Sequence, residues 1–167
     1  MDPQSQKFFN LLHPKLIDDA IAAWTICQTD LLDHPNVQIT VTQSLRTFEE
    51  SDELFKLGRT KVNPDGRSPS KPFGNIVTNA PGGSSYHNYG LAFDFKMITN
   101  GHDDWDVGPL WRRVAATMKE HGWTWGGDFK KLADAPHFEK TFGFNWKALL
   151  VKHNAGDFIP GTQYVNI

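Results

Sequence analysis

From Gly90 to Met97 the chain alternates without a break. Leu91, Phe93, Phe95 and Met97 fall on one face of an extended backbone, and Gly90, Ala92 and Asp94 fall on the other. A run of this kind is a strand with one buried face, so the rest of the fold has to supply what covers it. The second face is just as constraining. Glycine and alanine beside Asp94 offer almost no side chain, which leaves a hollow next to the carboxylate where a metal ion and a substrate could sit.

The remaining segments supply candidates for the covering layers. Ile17, Ile21, Trp24, Cys27 and Leu31 recur at helical spacing, and His13-Pro14 predicts a helix opening with proline at its first helical position. Asn36 to Ser44 switches to period two, with Val37, Ile39 and Val41 on one face of a second strand. Thr47-Phe48-Glu49-Glu50 is a capping box that starts a helix running through Leu57. From Gly58 to Ser84 the chain is rich in Gly, Pro, Ser and Asn and lacks periodicity. A loop of that length points to a functional or mobile segment beside the motif that follows.

Val107 to His121 carries Leu110, Trp111, Val114, Ala115 and Met118 on one helical stripe and stops at Gly122. Trp123-Thr124-Trp125 and His137-Phe138-Glu139 read as a final pair of short strands, and Asn145 to His153 as a last helix before a polar tail. Strands and helices do not alternate as in a parallel-sheet protein. The pattern predicts an α+β fold, a small, mainly antiparallel sheet with flanking helices, formed by one domain over residues 1–167.

Bulk properties narrow the function. A formal net charge of -2 gives no electrostatic case for nucleic acid or an anionic membrane. No apolar run is long enough to span a bilayer, and Met1 to Gln6 lacks the basic and apolar regions of a signal peptide, so synthesis in the cytoplasm is expected. Cys27 is the single cysteine. It excludes an intrachain disulfide and a thiolate metal site, and its apolar helical setting marks it as a small core residue.

Chemistry concentrates in two places. Ser85-Tyr86-His87-Asn88-Tyr89-Gly90 leads into the strand that carries Asp94, and Asp134-Ala135-Pro136-His137 follows some forty residues later. Two imidazoles and two carboxylates suffice for three zinc ligands, and the fourth group can take a proton from the water at an open coordination position. His87 has the wrong parity to share a face with Asp94 on a continuous strand, so a turn or bulge near Gly90 has to re-aim it. Pro136 pushes Ala135 out of helical dihedrals, which places Asp134 on a turn and His137 at the start of a strand.

A histidine followed by an aspartate at this spacing is weak by itself, because histidines also serve as hydrogen-bonded structural residues. The setting adds weight: small residues beside Asp94, a loop-to-strand junction at His87, and a second histidine with a carboxylate three positions before it. Arg46 stands at a strand end directly before the capping box. It suits a substrate carboxylate or a tetrahedral oxyanion, and equally a surface salt bridge.

At these residues the chain resembles the zinc peptidases of the D-alanyl-D-alanine carboxypeptidase and L-alanyl-D-glutamate endopeptidase group. Their pattern, Ser-x-His-x-x-Gly-x-Ala-x-Asp followed by Asp/Glu-x-x-His, is matched at every specified position. Arg46-Thr47-Phe48-Glu49-Glu50, Gly58-Arg59-Thr60, Gly122-Trp123-Thr124-Trp125-Gly126-Gly127-Asp128 and Pro136-His137-Phe138-Glu139 are similar to the endopeptidase branch, and the likeness runs roughly from Val37 to Leu150.

The resemblance implies His87, Asp94 and His137 as zinc ligands at the sheet face, Asp134 as general base and Arg46 as a transition-state or substrate contact. Ser85 would be a hydrogen-bonding group behind the metal ligands or on the substrate side. The activity implied is hydrolysis of the L-Ala to D-Glu bond in peptidoglycan stem peptides by a monomeric enzyme. The rivals are a D,D-carboxypeptidase on the same zinc site and a non-catalytic zinc-dependent binding module, against which the presence of Asp134 argues. Two departures stand out. Ser51 occupies a position where relatives often carry Gln, and nothing after Leu150 is long enough for a separate cell-wall-binding domain.

Overall fold

The computed structural model describes residues 1–167, which divide into two compact units. The first joins Met1–Leu45 to Gly90–Phe142, and the second joins Arg46–Tyr89 to Gly143–Ile167.

The first unit contains the whole sheet. Its strands are β1 (Val37–Gln43), β2 (Ala92–Thr99), β3 (His102–Asp104), β4 (Thr124–Trp125) and β5 (His137–Glu139). The order is β1-β2-β5-β4 with β3 also on β2, and every pairing is antiparallel. The alternation along β2 is realised as expected, since Leu91, Phe93, Phe95 and Met97 are all buried. Phe93 meets Phe9, Trp24 and Trp123 at ring-centroid distances of 5.2, 5.9 and 5.0 Å, and Phe95 meets Trp111 at 4.6 Å. Those rings come from three helices, α1 (Pro3–Phe9), α2 (Ile17–Asp30) and α4 (Pro109–Glu120), and from the segment just before β4. One face of β2 is therefore an aromatic core, and the opposite face is left to Asp94.

One local expectation changes, and two elements form that no periodicity announces. The helix predicted from His13-Pro14 begins at Ile17, because His13 closes its own turn first: its carbonyl accepts from Leu16 N and its Nδ1 from Lys15 N. The buried stripe of α2 is accordingly Leu16, Ala20, Ala23, Trp24 and Cys27, continuing to Leu31, while Ile17 and Ile21 lie half-buried at its edge. Helix α1 has no apolar period to announce it. Asp2 caps it by accepting from Ser5 N, and Phe9 anchors it in the core. The stretch around His102, polar throughout, pairs with β2 as β3, and two of its side chains reinforce the backbone pairing: Asp103 Oδ1 accepts from Lys96 Nζ and Asp104 Oδ2 accepts from Thr99 Oγ1.

The second unit contains α3 (Phe48–Lys56), α5 (Trp146–Asn154) and a short 3-10 turn at Tyr86–Tyr89. The capping box at Thr47 is present in both directions: Thr47 Oγ1 accepts from Glu50 N, and the Glu50 carboxylate accepts from Thr47 N. Between Lys56 and Tyr86 no helix or strand forms, as the composition predicts. The segment is nonetheless fastened to itself. Arg59 donates to the carbonyls of Phe55 and Thr78 and to Asn79 Oδ1, and its guanidinium lies 3.9 Å above the Phe55 ring. Asn63 Nδ2 donates to Asn75 O, drawing the two ends of its inner turn together.

Candidate metal centre

His137 and Asp94 meet because β2 and β5 are in register, with Asp94 opposite His137 and Ala92 opposite Glu139. His137 Nδ1 lies 3.1 Å from Asp94 Oδ1, and His137 Nε2 lies 3.0 Å from Glu139 Oε2. The imidazole is thus held edge-on between two carboxylates. Burial by itself would lower its pKa, but Asp94 and Glu139 outweigh that and push the group up to about 9. Metal ligation requires the neutral ring, so an ion and a proton compete for the same nitrogen. The hollow expected beside Asp94 is shared, because Glu139 lies across from the small side chain of Ala92.

Asp134 sits on an exposed turn directly before β5, as Pro136 leads one to expect. His137 N donates to Asp134 O and Asp134 N donates to Gly126 O, while Trp125 Nε1 donates to Ala135 O at 2.7 Å. Gly126 is what permits this approach. A Cβ on it would stand 2.4 Å from Asp134 O and 3.0 Å from His137 Cβ. The Trp125-Gly126 pair, quoted above only as part of a likeness, is the support on which the Asp134–His137 turn rests. Phe95 N donates to Pro136 O and ties the turn to β2 as well.

His87 is not on a strand. It occupies the 3-10 turn Tyr86–Tyr89, with Gly90 in the left-handed region at φ 68°. This is the re-aiming that the parity argument requires, achieved by a helical turn. The sheet's irregularity falls instead in β1, between Val41 and Gln43, where Thr42 Oγ1 donates to Asp94 O. Ser85 caps the His87 turn: its Oγ accepts from His87 N at 3.3 Å, and its carbonyl accepts from Asn88 N.

Arg46 is bound into the same unit as His87, with its backbone N–H donating to His87 O at 3.1 Å. Asn88 secures that junction. Its Nδ2 donates to the carbonyls of Arg46 and Thr47 and to Ser51 Oγ, and its Oδ1 accepts from Gly83 N and Ser85 N. Ser51, the departure noted in the sequence, is buried as one partner of this amide. Asn88 is unspecified in the family pattern, and a buried asparagine with so many partners could not be told from a solvated one by sequence.

Each of His87, Asp94 and His137 offers one ligand atom, and these atoms all lie within 4.8 Å of one another. Two imidazoles and a carboxylate, with both histidines buried, form a donor set that could hold a metal ion.

Residues 78–140 match the family model of D-alanyl-D-alanine carboxypeptidase. That stretch contains His87, Asp94, Asp134, His137 and Glu139, and Arg46 lies outside it. Over 112 residues the chain is 41% identical to the peptidoglycan L-alanyl-D-glutamate endopeptidase CwlK of Bacillus subtilis (strain 168), covering 62% of this chain. The chain spans 60% of that relative's length. In fold it is similar to the crystal structure of the Serratia marcescens L-Ala D-Glu endopeptidase ChiX, with a TM-score of 0.56 and 22% identity. The superposition covers 85% of this chain and 90% of that one. The α+β reading with a small antiparallel sheet is therefore correct. No helix is long and apolar enough to cross a membrane. Cys27 is buried with its thiol pushed up to about 12 by desolvation, which fits a core residue and not a nucleophile.

Proposed function

We propose that this chain is a zinc peptidase that hydrolyses the L-Ala to D-Glu bond in the stem peptide of peptidoglycan. The observation that carries the reading is a metal-capable His-Asp-His group lying inside the stretch that matches a peptidase family. The substrate follows from the 41% identity to a relative that bears this activity in its name.

The donor set suits zinc. Tetrahedral ligands at about 2.0 Å from the ion stand about 3.3 Å from each other, and Asp94 Oδ1 and His137 Nδ1 are already 3.1 Å apart. Three protein ligands leave one position for water, the arrangement of a catalytic site. When bound, zinc supplies a water acidified towards a pKa of about 7 and a Lewis acid for the scissile carbonyl. Asp134, exposed on its turn, takes the proton of the attacking water and passes it to the leaving amine, so that the amide and water become a carboxylic acid and an amine. Arg46 holds the charge that develops on the carbonyl oxygen. Ser85 serves the site by fixing the turn that presents His87.

The family description favours one other reaction, release of terminal D-Ala with the same ligands and the same base. Digestion of purified peptidoglycan decides between them. A new D-Glu amino terminus, identified by mass spectrometry and lost on chelation, is the expected result. Free D-Ala as the only product would establish the carboxypeptidase.

A further inference from the structure

The two carboxylates on His137 are not equivalent. Asp94 faces Nδ1 and belongs to the metal-capable group, whereas Glu139 faces Nε2 and does not. A neutral imidazole carries one proton on one of two nitrogens, and only the other nitrogen can bind a metal. Whichever group takes the proton decides which nitrogen is available.

Glu139 is placed to make that choice. It stands two residues after His137 on the same face of β5, which brings the two side chains alongside each other. Across the sheet on β2 its opposite number is Ala92, whose methyl group leaves room for a glutamate to lean back along the strand. Both side chains are largely shielded, with side-chain exposures of 10% for His137 and 15% for Glu139, so water competes weakly for the Nε2 proton. The Oε2 to Nε2 distance is 3.0 Å.

We infer that Glu139 is a positioning residue for the metal site: its carboxylate accepts the Nε2–H of His137 and makes Nδ1, on the Asp94 side, the nitrogen that binds a metal ion. The inference rests on the zinc reading given above and adds a residue to it. Carboxylates that hold the second nitrogen of a ligating histidine fix its tautomer and ring orientation, and their loss typically weakens metal binding about 10–100-fold. A glutamate that merely packs within the sheet, between β2 and β4, would affect stability and leave zinc affinity alone.

The test measures the zinc dissociation constant of the full chain by competition with a chromogenic chelator. It compares wild type, Glu139→Ala and Glu139→Gln, and follows the thermal midpoint of each zinc-stripped protein. Glu139→Ala should bind zinc about 10–100-fold more weakly. Glu139→Gln keeps the shape and a neutral acceptor oxygen, so it should recover part of that loss. In the zinc-loaded wild type, long-range proton–nitrogen spectra of the imidazole should show His137 protonated at Nε2. Wild-type zinc affinity in Glu139→Ala, or in Glu139→Gln should the alanine variant fail to fold, would overturn the assignment, as would a proton on Nδ1. A wild-type protein that binds no zinc would remove the metal reading itself, whereas equal binding by all three proteins removes Glu139 alone.

Discussion

Asp134 and His137 are three residues apart and joined by a backbone bond, yet the chemistry divides them sharply. His137 is buried and paired with Asp94, while Asp134 is exposed on the turn. Substituting the two should therefore give different phenotypes. Asp134→Asn should retain zinc and fold and lose about 10²–10⁴-fold in turnover, because an amide cannot accept the water's proton. His137→Ala should lose zinc together with activity. Metal analysis of both purified variants checks this, and release of zinc by Asp134→Asn would reassign Asp134 as a ligand. Arg46→Lys keeps the charge and loses the planar fork. If Arg46 steadies the oxyanion, kcat and kcat/KM should fall alike, whereas a rise in KM alone would indicate ground-state binding.

At the scale of elements, the site depends on short irregular pieces that regular ones hold in place. The Asp134 turn leans on Gly126, where a methyl group would strike Asp134 O. Gly126→Ala should therefore shift that turn and destabilise the fold by about 1–3 kcal/mol, the usual range for overpacking a close contact. Denaturant titration measures the stability. Turnover should drop out of proportion to it, and full activity would show that the turn does not present the base. In the second unit Asn88 is the corresponding support. Asn88→Ala would leave Ser51 Oγ and the Arg46 carbonyl without this partner inside the protein, at a cost of about 1–3 kcal/mol. The regular elements were legible in the sequence because their signals are local: a capping box at Thr47, alternation along β2, a glycine stop at Gly122. Helix α1 was not, since Phe9 is held by Phe93, far away in the chain, and strand β3, although its partners on β2 are near in sequence, has no apolar alternation to mark it.

For the whole molecule, a ligand that binds the folded state alone raises apparent stability by mass action. Zinc at about 100 times its dissociation constant should add about 2.7 kcal/mol. Chelation should accordingly lower the thermal midpoint and abolish peptidoglycan cleavage, and added zinc should restore both. A midpoint indifferent to zinc would contradict a site built from residues as far apart in sequence as His87 and His137.

The sequence by itself determined the chemistry on offer. Two histidines, two aspartates and a proline-shaped turn stand in a setting that suits a metal site, with small residues beside Asp94, and the alternation around Asp94 obliged that carboxylate to leave the core. It also determined most of the elements, because helical and strand periods are properties of neighbouring residues. Tertiary structure decided which groups meet. Register alone sets Asp94 against His137 and Glu139 against Ala92, and a slip of one residue would send every side chain of β5 to the other face. The same long-range pairing decided the role of Glu139, which no local pattern reveals. Which nitrogen of His137 faces the metal group depends on what stands beside the ring in space, and a chain read in order carries no record of that until its strands have paired.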